Sequence, residues 1–340
     1  MMLKKCAKSI LLGLLITSFA AQAKMIEDIA GNKIEITDDV QHIADLWNAN
    51  NQIVLLLGGM DKVVATTNYI QRNPWFAEVY PRIKNIKALG SGRDLQTEEL
   101  IVVKPDVVIV PSPMMVNEVN RAGLKGVLAI FNDFDGLKKT VRLTADIIGD
   151  NAPQIAESYI QELEQNIAFV AERIQHLTES EKPIALHITG RESLTTIDGG
   201  KTIIGDWIRK AGGRNAFPEI DNATDVGLEE IIKANPDVIT IGGDSAAQAI
   251  AKIKQNPVWQ SISAVKNNRV YANPKGVFMW DRYSAEEALQ VLWAAQIFHP
   301  DLFKDVDMIA KTQAFYQKYY AYNLSKENAQ QILKGLLPLK

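Results

Sequence analysis

Cysteine is nearly missing from this chain. The one present, Cys6, stands ahead of the first apolar run. A lipid anchor needs its cysteine just behind such a run, so lipidation is not expected. A chain cleaved behind the run has no cysteine at all, which excludes disulfides and thiol chemistry even where the compartment permits them. Histidine is scarce as well: His42, His176, His187 and His299 are scattered, with no His-rich loop. A receptor for a naked transition metal needs several His and carboxylate ligands converging on the ion, so that class is set aside. No G-x-S-x-G, phosphate loop or H-E-x-x-H motif occurs, and Leu56-Leu57-Gly58-Gly59 is no dinucleotide fingerprint. Neither an enzyme nor a resident cofactor is expected. No second long apolar run follows the first.

What is present begins with an export layout. Lys4, Lys5 and Lys8 precede the apolar stretch Ser9 to Ala20, and Ala21-Gln22-Ala23 offers small residues for cleavage. This order reads as a secretory signal peptide over residues 1–23, and the run is shorter than the roughly 20 residues a membrane span needs. The whole chain has 37 basic and 40 acidic residues. Cleavage would remove three lysines and no acid, leaving 34 basic residues against 40 acidic ones. An acidic, soluble mature protein without nucleic-acid affinity is expected.

The mature segment opens on alternating residues around Gly31-Asn32, a β-hairpin pattern over Ile26 to Ile36. Short apolar runs then alternate with helical patterns. Val63–Thr67, Val107–Val110, Ile184–Ile188 and Val238–Ile241 read as buried strands of parallel sheets covered by helices. A repeat gives the architecture. Leu95 to Ile101 leads into Lys104-Pro105-Asp106 and a strand; Leu228 to Ile232 leads into Asn235-Pro236-Asp237 and a strand, offset by 131 residues. Each copy reads as a short helix stopped before Pro and feeding a strand. The expected fold class is α/β, with two lobes (24–150 and 180–340), each carrying a mainly parallel sheet and flanking helices. Residues 151–179 read as one long α-helix joining them. Its apolar positions recur at spacings of three and four, Pro153 suits its first turn, and it would span about 40 Å.

In open α/β sheets ligands bind beyond the carboxyl ends of the strands. Those ends hold Trp47, Tyr69, Arg72, His187, Arg191, Trp280, Arg282 and Tyr283. Arginine forks match carboxylates and oxyanions, and aromatic walls add apolar contact, so the cleft of an acidic protein is expected to take an anion. Other roles stay open: each arginine can be ion-paired with Glu192, Asp281 or Glu286, His187 can be a core residue, and Trp75 and Trp280 can be packing residues.

The ordered set formed by Asp28-Ile29-Ala30-Gly31, Lys104-Pro105-Asp106, the long helix, Asn235-Pro236-Asp237 and Trp280-Asp281-Arg282-Tyr283 resembles the helix-linked (class III) periplasmic binding proteins with an Fe/B12-type domain. Asn73-Pro74-Trp75-Phe76 and Trp280 to Tyr283 are similar to a subgroup that includes molybdate- and tungstate-binding members. The resemblance implies a periplasmic monomer that captures a small anionic metal-containing solute, either an iron–siderophore or similar chelate or, as the alternative, molybdate or tungstate. It also implies delivery to the permease dimer of an ABC importer, with Glu98 and Glu229 as the docking carboxylates.

Overall fold

The computed structural model describes residues 23–91, 94–190 and 193–339; residues 1–22, nearly all of the segment expected to be a leader, and Arg191 lie outside the described residues. The hairpin forms as β1 (Ala23–Glu27) and β2 (Lys33–Thr37), paired antiparallel. The first lobe is built on five parallel strands: β3 (Ile43–Asp45), β4 (Val63–Thr67), β5 (Lys87–Gly90), β6 (Val107–Val110) and β7 (Gly126–Leu128), in the order β5-β4-β3-β6-β7.

The second lobe holds β8 (Ile184–Ile188), β9 (Thr196–Asp198), β10 (Arg214–Asn215), β11 (Thr224–Asp225), β12 (Val238–Ile241) and β13 (Val270–Ala272). Its order is β11-β9-β8-β12-β13, with β10 beside β8. The pairings of β8 with β10 and β12, and of β12 with β13, are parallel; β9 runs antiparallel to both β8 and β11. The central strands β3, β6 and β12 are buried at every residue. Helices on both sheet faces remove the polar face that alternation would mark, which is why these strands read as unbroken apolar runs.

The 131-residue repeat is structural. Helix Thr97–Val103 ends on Lys104 (φ +49°) and helix Leu228–Ala234 on Asn235 (φ +43°), both left-handed, before Pro105 and Pro236. The Asp that follows ties each joint to the neighbouring strand. Asp106 Oδ2 accepts the N–H groups of Gln41 and His42 at 2.8 Å, and Asp237 Oδ2 accepts that of Ile184 at 2.8 Å. Glu98 and Glu229 stand exposed in the first turns of these two helices, where carboxylates are favoured by the helix dipole.

Helix Ala152–Ile174 joins the lobes. It is not a bare strut. It packs on helix Phe134–Ile148 from the first lobe and on helix Glu287–Phe298 from the second. Tyr159 donates its hydroxyl to Ala285 O and Asn166 its amide to Ala288 O, both at 2.8 Å. Beyond it the chain crosses back. Gln52 in the first lobe bonds Tyr320 and accepts the Ala285 N–H at 2.8 Å, and Trp75 Nε1 donates to Leu336 O at 2.8 Å. One apolar cluster therefore runs through both lobes, an arrangement that restrains wide hinge motion.

Candidate ligand cleft

The second-lobe wall starts where β8 and β12 end side by side. Gly242 N–H donates to Ile188 O at 2.9 Å. A Cβ on Gly190 (φ +69°) would fall 1.6 Å from Gly242 O, and one on Gly242 would fall 2.4 Å from Asp281 Oδ2. Only glycine fits there, because backbone and carboxylate occupy the place of a side chain. Ser245 Oγ donates to Gly190 O and pins the two loops together.

Directly beneath lies a buried polar cluster. His187 Nδ1 meets Thr240 Oγ1 at 2.8 Å and its Nε2 meets Asp281 Oδ2 at 2.9 Å. The Arg282 guanidinium donates to Asp281 Oδ2 at 2.9 Å and to Asp198 Oδ2 at 2.8 Å. Burial opposes the Asp281 charge, but Arg282 and the His187 bond outweigh it and hold the carboxyl well below its usual range. Burial likewise opposes the Arg282 charge, and Asp281 and Asp198 more than restore it.

The first-lobe wall comes from the end of β4. Thr67 caps helix Asn68–Arg72, and Asn73 caps helix Pro74–Val79 through its Oδ1 while its Nδ2 crosses to Val277 O at 3.1 Å. Tyr69 and Arg72, three residues apart, share one helix face. Two cavities of about 360 and 370 Å³ open between the walls, and Tyr69 and Asp244 line both. Arg72 and Lys275 border the first, Thr189 and Arg282 the second. The Tyr69 ring lies edge-on to Phe278, and its buried hydroxyl has no partner among the described residues. Burial, then the charges of Asp244 and Asp281, push this phenol up, so it stays a donor.

The sequence-selected residues thus separate. Tyr69, Arg72 and Arg282 line the cavities. Arg282 does so with its charge engaged by two carboxylates, the ion-pair role left open for it with Asp281. His187 supports that pair from below. Trp280 is a core residue with no exposure. Trp47 and Tyr283 seal the lobes together: Trp47 and Phe131 from the first lobe hold the Tyr283 ring edge-on at 6.0 and 5.7 Å. Tyr283 sits at φ +55°, a strained position for a bulky side chain. Asp198, Asp244 and Lys275 are not among the residues selected from the sequence, although Lys275 stands in a strand-end loop. Asp244 was legible, since the strand-end rule applied to Val238–Ile241 reaches it; Asp198 has no such signal.

Two sheet lobes, a packed linker helix and a cleft lined from both sides define a cleft-type solute receptor. Over residues 43–276 the chain matches a family described as periplasmic binding protein. Molybdate-binding protein MolA of Haemophilus influenzae is 25% identical over an alignment of 355 residues, covering 95% of this chain and 99% of that protein. The structure of MolA bound to molybdate superimposes with a TM-score of 0.79 at 21% identity, covering 89% of this chain and 99% of that one. A periplasmic solute binding protein from Veillonella parvula gives 0.78 at 24% identity, covering 92% and 97%. Helicobacter pylori CeuE in its Ni-His complex gives 0.73 at 22% identity, covering 90% and 98%. The chain belongs to the periplasmic binding protein family. No helix among its described residues is long and apolar enough to cross a membrane.

Proposed function

We propose that this chain is the solute receptor of an ABC importer and captures a small anionic metal complex, an iron–siderophore or similar chelate, in the interlobe cleft. The observation that carries the reading is Tyr69, which lines both cavities and whose hydroxyl is buried and unbonded among the described residues. A buried hydroxyl is stable only with a partner, and the ligand supplies one. Arg72, exposed and in no ion pair among the described residues, adds the positive charge. The cavities are open and larger than a lone tetrahedral oxyanion needs, which favours a chelate. A molybdate or tungstate ligand is the second reading, favoured by near full-length similarity to a molybdate-binding protein. Residues 1–23 act as a cleaved leader, the lobes span about 24–150 and 180–340 with 151–179 between them, and the mature chain works in the periplasm as a monomer.

Calorimetry with ferric chelates, molybdate, tungstate and sulfate tests this, with recovery of the ligand unchanged as the distinction from an enzyme. One solute is expected to bind stoichiometrically, and Tyr69→Phe to weaken it about tenfold through loss of a hydrogen bond to a charged ligand. Binding of none of the panel would defeat both ligand readings.

Glu98 and Glu229 are proposed to dock on arginines of the two permease subunits. Two equivalent exposed carboxylates on two repeated lobes suit a partner with two equivalent halves, and they steer encounter more than they add affinity. A Glu98→Ala, Glu229→Ala protein is expected to bind solute normally and to lose uptake at limiting receptor concentration. Normal uptake there rules the docking role out.

A further inference from the structure

We infer that Asp244 sets the specificity of the cleft: it selects solutes that bring a hydrogen-bond donor, such as a hydroxyl, an amine or a metal-bound water, and rejects bare oxyanions. The inference rests on the receptor reading and narrows its ligand class. Asp244 follows Gly242-Gly243 at the end of β12 and, with Tyr69, lines both cavities. The one bond recorded for its carboxylate among the described residues comes from Lys275 Nζ to Oδ1. That ion pair is turned so that the amine is inside and the acid outside. The Lys275 side chain is 9% exposed and that of Asp244 is 68% exposed. The lysine therefore contributes little free positive charge, and the cavities face an acceptor-only group with capacity left on Oδ2.

The neighbouring charges do not cancel this. Arg282 is held between Asp198 and Asp281, which leaves Arg72 as the cation of the lining that is in no ion pair among the described residues. A solute between Tyr69 and Asp244 must accept a hydrogen bond on one side and donate one on the other. A fully deprotonated oxyanion has acceptors only, so it satisfies Tyr69 and Arg72 and meets at Asp244 Oδ2 a second acceptor that offers it no hydrogen. A chelate carrying hydroxyl or water donors satisfies both walls. Specificity here is a repulsive element set against the wrong ligand as much as an attraction to the right one.

Two tetrahedral oxyanions of near-equal size separate these cases at about pH 8: molybdate carries no proton and vanadate carries at least one. Ferric EDTA, an anionic chelate that keeps one metal-bound water or hydroxide, serves as a chelate with a hydrogen-bond donor. Calorimetry on the mature protein is expected to show vanadate or ferric EDTA bound at least tenfold more tightly than molybdate. Asp244→Asn is expected to bring that ratio close to one, chiefly by tightening molybdate about tenfold. The pair Asp244→Asn, Lys275→Met removes acid and amine together, so a folding defect from an unpaired buried lysine cannot imitate the result. An unchanged ratio in both variants overturns the role of Asp244 and leaves the receptor reading intact, as does a wild-type preference for molybdate. Failure of every probe to bind any of the proteins overturns instead the anionic metal-ligand reading on which the inference rests.

Discussion

Replacing Arg282 by Met is expected to destabilise the fold by about 3–5 kcal/mol, the range for removing one partner of a buried ion pair. The guanidinium lies between Asp198 and Asp281, whose side chains are 0% and 1% exposed. Its loss leaves two carboxylates facing each other, with His187 beside Asp281 and the Ala223 N–H on Asp198 as the remaining hydrogen-bond partners among the described residues. From the sequence, Arg282 reads either as a ligand contact or as an ion-pair partner of Asp281; the structure ties it to two buried carboxylates. Chemical denaturation at neutral pH measures the effect. Adding Asp281→Asn to the Arg282→Met protein is expected to recover a large part of the loss, because it removes one of the unpaired charges. A loss below about 1 kcal/mol, typical of surface pairs, would show that the guanidinium is solvated and free to serve a ligand.

Glu286 gives the second large effect. Its carboxyl is fully buried and accepts the Phe278 N–H at 3.3 Å on Oε2, while Oε1 has no partner among the described residues. Burial dominates and pushes the carboxyl from the ordinary 4.5 up to about 7. The folded state therefore holds this proton over a range in which the unfolded chain has lost it. A group raised on folding contributes stability that is complete below the unfolded value and is lost as pH rises through the folded one. Across 4.5 to 7 the contribution lost is about 3 kcal/mol. Glu286→Gln removes this dependence. The variant is expected to gain on the wild type steadily between those limits and to keep a constant margin above them, as urea midpoints at a series of pH values would show. Asp45 and Glu287, also raised by burial, tilt both proteins alike. Parallel curves for the two proteins would mean that Glu286 is already ionised in the fold. The segment concerned borders the cleft, since Lys275 lines a cavity at one end of it and Asn73 of the first lobe donates to Val277 O.

The strands and the repeat were open to reading because their causes are local. Val107–Val110 and Val238–Ile241 are buried on both faces, so nearly every residue is apolar, and the Pro-Asp joints end helices by the chemistry of neighbouring residues alone. The strand-end rule reaches Tyr69, Arg72 and Arg282, which line the cavities. It could not say which side chains at the strand ends remain free. Trp47 and Tyr283 are turned against each other across the lobes, and Trp280 into the core, because each has a partner far away in the chain. The antiparallel strand β9 escaped notice: three residues carry no periodicity, and its role comes from placing Asp198 against β8.

The sequence by itself determined the two-lobed α/β plan, the helix between the lobes and the region of the cleft, since these follow from burial patterns and chain-local stops. Only the tertiary structure decided the chemistry of the cleft. Asp198 is 84 positions from Arg282 and Asp244 is 31 from Lys275. Whether an arginine or lysine offers its charge to a solute depends on whether such a distant carboxylate has already taken it, and pairing across those separations is set by how the sheet stacks its strand ends rather than by any spacing along the chain.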